Sequence, residues 1–330
     1  MSIRFLNQFS LLKPHKLLNL QAKPSTLLTC RSIHSATLPR LSVRSANCFK
    51  FPRNNLRSSF HTKRNYSYYE PPVFKWRTVA LAGTTALVSS WLFYNIFPLL
   101  FLTKPLEVLN ASPHKVLMVL IATNVFVWFK GYMGKVGKIP RLYYLGTGAQ
   151  FNIQSMFLSA FNHASLAHLA VNMFVLYGFG SDMIQVLGPA SFLTLYFSAT
   201  AWSSFFSVLI RTLAGTSSLS VGASGAVFGV VNSFAQCFPS SRIALYFIPM
   251  PITIGPFMTI VFGATTLLAL ATATNRTPSI LSNSIIDHGG HLGGMIYGWV
   301  YIRYIAPRMH EQFFVPYMRE QERQRLASFE

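Results

Sequence analysis

The sequence predicts an all-α polytopic membrane protein, a six-helix bundle preceded by one extra transmembrane helix. Seven apolar runs recur between residues 78 and 305, and they carry almost no charge. Asp and Glu together number 8 in 330 residues while 51% of the chain is apolar, a balance suited to lipid contact and poor for a solvated surface. The runs also lack the strict alternation of barrel strands and the strong amphipathic period of a soluble core.

Taken in order, segment A runs from about Thr78 to Leu102, segment 1 from Val116 to Phe129 and segment 2 from Ser165 to Phe179. Segment 3 runs from Ala190 to Ile210, segment 4 from Ser224 to Phe238, segment 5 from Pro256 to Thr272 and segment 6 from His288 to Ile305. Several are shorter than the ~20 apolar residues that span a bilayer. Even-numbered segments cross in the same direction, so their starts share one membrane face. That face then holds Ser224, His291, His168 and Asn172.

The first stretch, residues 1–66, is of another kind. The first acidic residue of the chain is Glu70, and twelve Lys and Arg are dispersed before it among serines and leucines. This is the composition of a mitochondrial transit peptide. A basic arm for nucleic acid or anionic lipid is the alternative, but such arms are Lys-rich runs. Arg64-Asn65-Tyr66-Ser67 resembles a processing site with arginine at minus three and puts the mature start near Ser67. Much of the net charge of +20 therefore belongs to the leader, and no nucleic-acid partner is inferred from it. Residues 67–112 form an extension with segment A, 113–305 the core, and 306–330 a charged tail that reads as a solvated helix or frayed end.

Among the connections, Lys130 to Arg141 is the most basic. The positive-inside bias assigns it to the matrix, which brings the starts of segments 2, 4 and 6 to the matrix face and the tail to the intermembrane space. Residues 142–160 are partly apolar and irregular, suited to the membrane surface. Cys30, Cys48 and Cys237 form neither a disulfide framework nor a metal-spaced set.

Two motifs carry the chemistry. Gly222-Ala223-Ser224-Gly225-Ala226 opens segment 4, and His288-Gly289-Gly290-His291-Leu292-Gly293-Gly294 opens segment 6. Polar, ionisable groups at membrane depth are expensive and usually functional. A serine nucleophile needs a hydroxyl and a base, and these motifs supply both. The glycine pairs Gly225/Gly229 and Gly290/Gly294/Gly298 also let helices approach closely, a packing role that is sufficient by itself to explain them. That same packing brings Ser224 to His291. The serine motif differs from the nucleophile elbow of soluble hydrolases, since Ala226 stands where the elbow has Gly. At a helix start, however, the Ser224 amide has no intrahelical partner and is free for an oxyanion. His288 competes with His291 as base, but the intervening glycine pair suggests that His288 is still in the loop. Asp287 suits a helix cap better than a triad. His163, His168, His288 and His291 could instead ligate a metal, yet no His-Glu-x-x-His or accompanying carboxylate supports that. Asn172 is a candidate for an interhelical hydrogen bond. It lies one turn from His168 and is equally placed to donate to an oxyanion. Phe228, one turn after Ser224, is placed to pack on an imidazole or simply in the core.

These residues together resemble a known family. His168-Leu169-Ala170-Val171-Asn172, Gly222-Ala223-Ser224-Gly225, and His291-Leu292-Gly293-Gly294 with Gly298 look like the rhomboid intramembrane serine proteases. The resemblance covers about Lys115 to Tyr304. With the extra first helix and the leader, it is similar to the mitochondrial branch. It implies a Ser-His dyad with Ser224 as nucleophile and His291 as general base and then acid. It implies an oxyanion hole from His168, Asn172 and the Ser224 amide, and no cofactor or metal. The implied partners are inner-membrane lipid and transmembrane protein substrates, single-span inner-membrane proteins cut in or near the span, including a dynamin-like GTPase of fusion and cristae. Oligomeric state is not implied. The sequence departs from the family in two places: the loop before segment 2 carries no Trp-Arg, and Gly180-Ser181-Asp182-Met183-Ile184-Gln185 stands where many members carry a Glu. The expectation is a multi-pass protease of the mitochondrial inner membrane. A proteolytically silent rhomboid-like factor that binds transmembrane segments is the alternative, and the intact Ser224 and His291 argue against it. A transporter would need broken helices or internal repeats, and neither is evident.

Overall fold

The computed structural model describes residues 72–103, 108–133, 140–243, 251–276 and 286–327. The leader at 1–66 lies outside the described residues, as do Lys135 and Lys138 of the basic connection. What is described belongs to one compact unit, Tyr69–Glu330.

The unit is helical, as expected. Helix α1 is Pro72–Leu102 and α2 is Pro113–Met133, both opening on a proline, which suits the first helical position because its missing N–H has no partner there anyway. A continuous helical stretch, Leu166–Leu213, is broken at Gly188, where φ is 76°. Pro189 follows at the start of the next arm, so the stretch comprises α3 (166–187) and α4 (189–213). The sequence ends segment 2 at Phe179; instead the helix runs on almost to the break. Helix α5 is Ser224–Cys237, α6 is Ile254–Ala273 and α7 is His288–Val300. Helix α7 continues through π turns at Tyr301–Ile305 and His310–Phe314, with Pro307 between them, into α8, Val315–Ala327. Among the described residues the only sheet is a two-stranded antiparallel clip, β1 (Arg242–Ile243) with β2 (Ile252–Thr253), which pairs Ile243 with Ile252.

By length and composition four helical stretches can cross a membrane: Lys75–Leu102, Pro113–Gly131, Leu166–Leu213 and Ile254–Ala273. Helix α5, at 14 residues, is about 21 Å long and falls short of a ~30 Å hydrocarbon core. It is buried from Gly225 to Ala235 apart from the half-buried Phe228, as a helix surrounded by others must be.

Each peripheral helix buries one stripe. Val79, Ala82 and Ala86 of α1 are small enough to press against α4, and Gly83 lies against the Phe205 ring. The opposite face of α1 exposes Leu87, Val88, Trp91 and Leu99, as a lipid-facing surface would. Helix α6 buries only Ile254, Met258, Thr265 and Ala269. The main core lies where α3, α4, α5 and α7 meet, around Leu176, Phe192, Tyr196, Val230 and Met295.

The connection from 142 to 160 is irregular, as expected, and its middle exposes Ala149, Gln150, Asn152, Ile153 and Gln154. Its two ends pack on the bundle: Leu145, Met156 and Ala160 are buried, Leu145 pairs with Ser220 in an isolated antiparallel bridge, and Ser204 donates to the Met156 carbonyl.

Candidate active site

The site is built from the N-terminal ends of α3, α5 and α7. Ser224 is the first residue of α5, and the segment leading to it is fixed at three points. Leu145 and Ser220 exchange two backbone hydrogen bonds of 2.9 Å, and the Gly222 N–H donates to the Ser159 carbonyl. Gly222 has φ 125°, which a side chain rarely adopts, and a Cβ there would lie 2.7 Å from the His168 ring. Glycine is required on both counts.

His291 is the fourth residue of α7, and Asp287 caps that helix by accepting from the Gly290 N–H at 2.9 Å. Glycines carry α7 against α5. A Cβ on Gly294 would overlap the Gly225 carbonyl, and one on Gly298 would overlap the carbonyl of Gly229. Asn232 donates to the Met295 carbonyl at 2.8 Å and Ser233 to the Gly298 carbonyl at 3.2 Å, locking the same pair of helices along their length. The outcome is that Ser224 Oγ lies 2.7 Å from His291 Nε2. The Phe228 ring packs on the imidazole with centroids 4.5 Å apart. A hydroxyl hydrogen-bonded to a neutral imidazole nitrogen is the arrangement that general-base activation needs.

His288 is the first residue of α7, not a loop residue, and its Nε2 has no hydrogen-bond partner among the described residues. His291 is the histidine that reaches the serine. Asp287 is a cap, as expected. Among the described residues no three His, Cys, Asp or Glu side chains converge at metal-ligand spacing.

His168 and Asn172 line the same cavity as Ser224 and His291. Ser165 caps α3 by accepting from the His168 N–H at 3.1 Å. Asn172 donates one amide hydrogen to the His168 carbonyl at 2.8 Å, within its own helix, and its amide has a second donor. The cavity measures about 560 Å³. Its polar residues come from the N-terminal ends of α3, α5 and α7 and their caps. Val175 and Phe179 of α3, Val231 of α5 and Phe257, Met258 and Val261 of α6 supply apolar walls.

The sequence reading missed His163 as part of this site. Its ring packs edge-on to His168, with centroids 5.1 Å apart, and its Nε2 accepts from the Ala223 N–H at 3.4 Å, just before Ser224. Burial and the neighbouring His168 hold its pKa down to about 4, so it stays a neutral acceptor. The one available signal was a third histidine five residues ahead of His168. A second feature missed is the contact of Arg211 with Ser207, near Asp287. Gln185 reaches His114 at 2.8 Å, and Arg211 donates to the Leu145 carbonyl at 3.1 Å, holding the connection before α3.

The rhomboid domain family model matches residues 150–308, which span α3 to α7 and every residue of the site. Presenilin-associated rhomboid-like protein, mitochondrial, of Bos taurus is 34% identical over 186 residues, covering 56% of this chain and 47% of that protein. The Homo sapiens protein of the same name is 33% identical over the same coverage. Rhomboid protein 1, mitochondrial, of Saccharomyces cerevisiae is 29% identical over 211 residues, 63% of this chain and 58% of that protein. The chain thus spans about half the length of the curated relatives it matches. No solved structure matches it. The matched domain covers the helices that bring Ser224 to His291, and all three of these relatives are mitochondrial by name: the chain carries a rhomboid domain and is similar to mitochondrial rhomboid proteins.

Proposed function

We propose that the protein is an intramembrane serine endopeptidase of the mitochondrial inner membrane. Its substrates are single-span membrane proteins, cut in or near the span. The observation that carries this reading is the 2.7 Å approach of Ser224 Oγ to His291 Nε2 beside an apolar-walled cavity. In this mechanism His291 takes the Ser224 proton as the hydroxyl oxygen attacks the scissile carbonyl. The imidazolium then gives that proton to the leaving amine as the C–N bond breaks. A water, deprotonated by the same ring, hydrolyses the acyl-enzyme. The Ser224 amide, His168 and the second Asn172 donor face the developing oxyanion. The dyad supplies both the nucleophile and the proton carrier, so the reaction needs no cofactor.

The apolar walls suit a transmembrane segment entering from lipid. The Bos taurus and Homo sapiens relatives are named for association with presenilin, which is consistent with membrane-protein partners. A dynamin-like GTPase of fusion and cristae is the substrate suggested by the mitochondrial rhomboids. Residues 1–66 act as the targeting leader, and N-terminal sequencing of the mature protein should find a start near Ser67. The relatives' names leave room for a silent factor that binds without cutting. Mapping a fluorophosphonate adduct on the purified protein tests the choice. Adduct at Ser224 supports the protease; an unreactive Ser224 in folded protein supports the silent factor.

A further inference from the structure

Between residues 113 and 305 the chain has two acidic side chains, Asp182 and Asp287. Asp287 is tied to a buried arginine. Arg211, near the end of α4, donates Nη2 to Ser207 Oγ at 2.7 Å, and Nη1 to the carbonyls of Leu145 and Ser218. Ser207 Oγ donates in turn to Asp287 Oδ2, which also accepts from Ser220 Oγ at 2.7 Å. Oδ1 takes the Gly290 N–H. Both carboxylate oxygens are thereby engaged, and neither is spent on the ring of His291.

The layout has a second regularity. Ser220 is four residues ahead of Ser224, and Asp287 is four residues ahead of His291. The contact of Ser220 with Asp287 and the contact of Ser224 with His291, each 2.7 Å, are two cross-links between the same two chain segments. The first fixes the segment that delivers the serine to the cap of the helix that delivers the histidine. A merely local cap would need only the Gly290 contact.

We propose, resting on the dyad reading above, that Asp287 is the positioning residue of the dyad, fixing Ser224 against His291 through Ser220 and steadying the imidazolium with its charge. The charge acts from one helical turn before His291, on the wall of the cavity that His291 also lines. Burial alone would raise the Asp287 pKa. The Arg211 guanidinium, the hydroxyls of Ser207 and Ser220 and the Gly290 N–H outweigh it and hold the carboxyl below its ordinary value, so the charge is present throughout the working pH range. His288 is the other titratable group beside Asp287, and His168 faces His291 across the cavity.

The test is the rate of fluorophosphonate labelling at Ser224 against pH, on the purified full chain in liposomes. Asp287→Asn keeps an acceptor for Gly290 and removes the charge. A carboxylate favours the protonated imidazole, so its loss makes neutral His291 available at lower pH. The acid limb should move down by about one pH unit and the plateau rate should fall roughly tenfold. Asp287→Glu restores the charge, and its limb should return toward that of the wild type. A purely structural Asp287 changes the melting temperature and leaves the limb where it is. An unmoved limb in Asp287→Asn overturns the proposal and leaves the dyad reading intact. Wild-type protein unlabelled at Ser224 at any pH removes the dyad reading and the proposal with it. Should Asp287→Asn not fold, Ser220→Ala takes its place: it keeps charge and cap, and its plateau should fall severalfold, with an unchanged plateau overturning the proposal.

Discussion

The α-carbon of Gly294 faces the carbonyl oxygen of Gly225 so closely that a Cβ on Gly294 would overlap it. Helix α7 meets α5 at this point, three residues beyond His291 and one beyond Ser224. The glycines of the two opening motifs therefore set the separation at which the dyad forms.

Gly294→Ala should cost roughly 1–3 kcal/mol, the range for overpacking, and should push His291 away from Ser224. Thermal unfolding and Ser224 labelling both read it. Gly263→Ala is the control, since nothing lies within 4 Å of its missing Cβ. A Gly294→Ala protein as stable and as reactive as the control would show that α5 and α7 do not meet through these glycines.

Asn172→Ala should lower turnover by roughly ten- to a thousandfold with little effect on KM, because an oxyanion donor acts mainly in the transition state. His168→Ala should behave alike. Its Gly222 contact makes a stability measurement a necessary companion. Unchanged kcat in both variants would reduce these residues to structural roles.

Stability should fall with acid before the carboxylates titrate. The folded His163 pKa of about 4 lies below the ~6.5 of an unfolded histidine, so the unfolded chain binds the extra proton in that window. The contribution is complete above pH 6.5 and is lost as pH falls toward 4, on the order of 2–3 kcal/mol. Asp287, also depressed, adds a further loss below about pH 4. His163→Gln keeps an acceptor for the Ala223 N–H and should flatten the curve between pH 6.5 and 4. An identical pH dependence in that variant would remove His163 from the account.

The helices were legible wherever a run of apolar residues had lipid on one side. Segment 4 and the start of segment 6 were read to within a residue or two, because glycine-rich motifs mark where these helices begin. The packing of residues 142–160 was not legible, since their apolar side chains carry no period, and only the partner strand at Ser220 and the hydroxyl of Ser204 show how their ends are held. Ser224, His291, His168 and Asn172 were legible as a set because the parity of the crossings puts them on one face. His163 and Arg211 were not. A lone loop histidine and a lone arginine at a helix end look like ordinary solvated groups until the fold buries both.

If Ser224 is a nucleophile activated by His291, cleavage of a membrane-spanning substrate depends on its hydroxyl. The most direct measurement is cleavage of a single-span reporter by purified protein in liposomes, comparing wild type with Ser224→Ala at matched folding. The wild type should cut within the reporter's span and the variant should not, with no change in melting temperature beyond a degree or two. A Ser224→Ala protein that cuts the reporter at the wild-type rate would contradict that dependence.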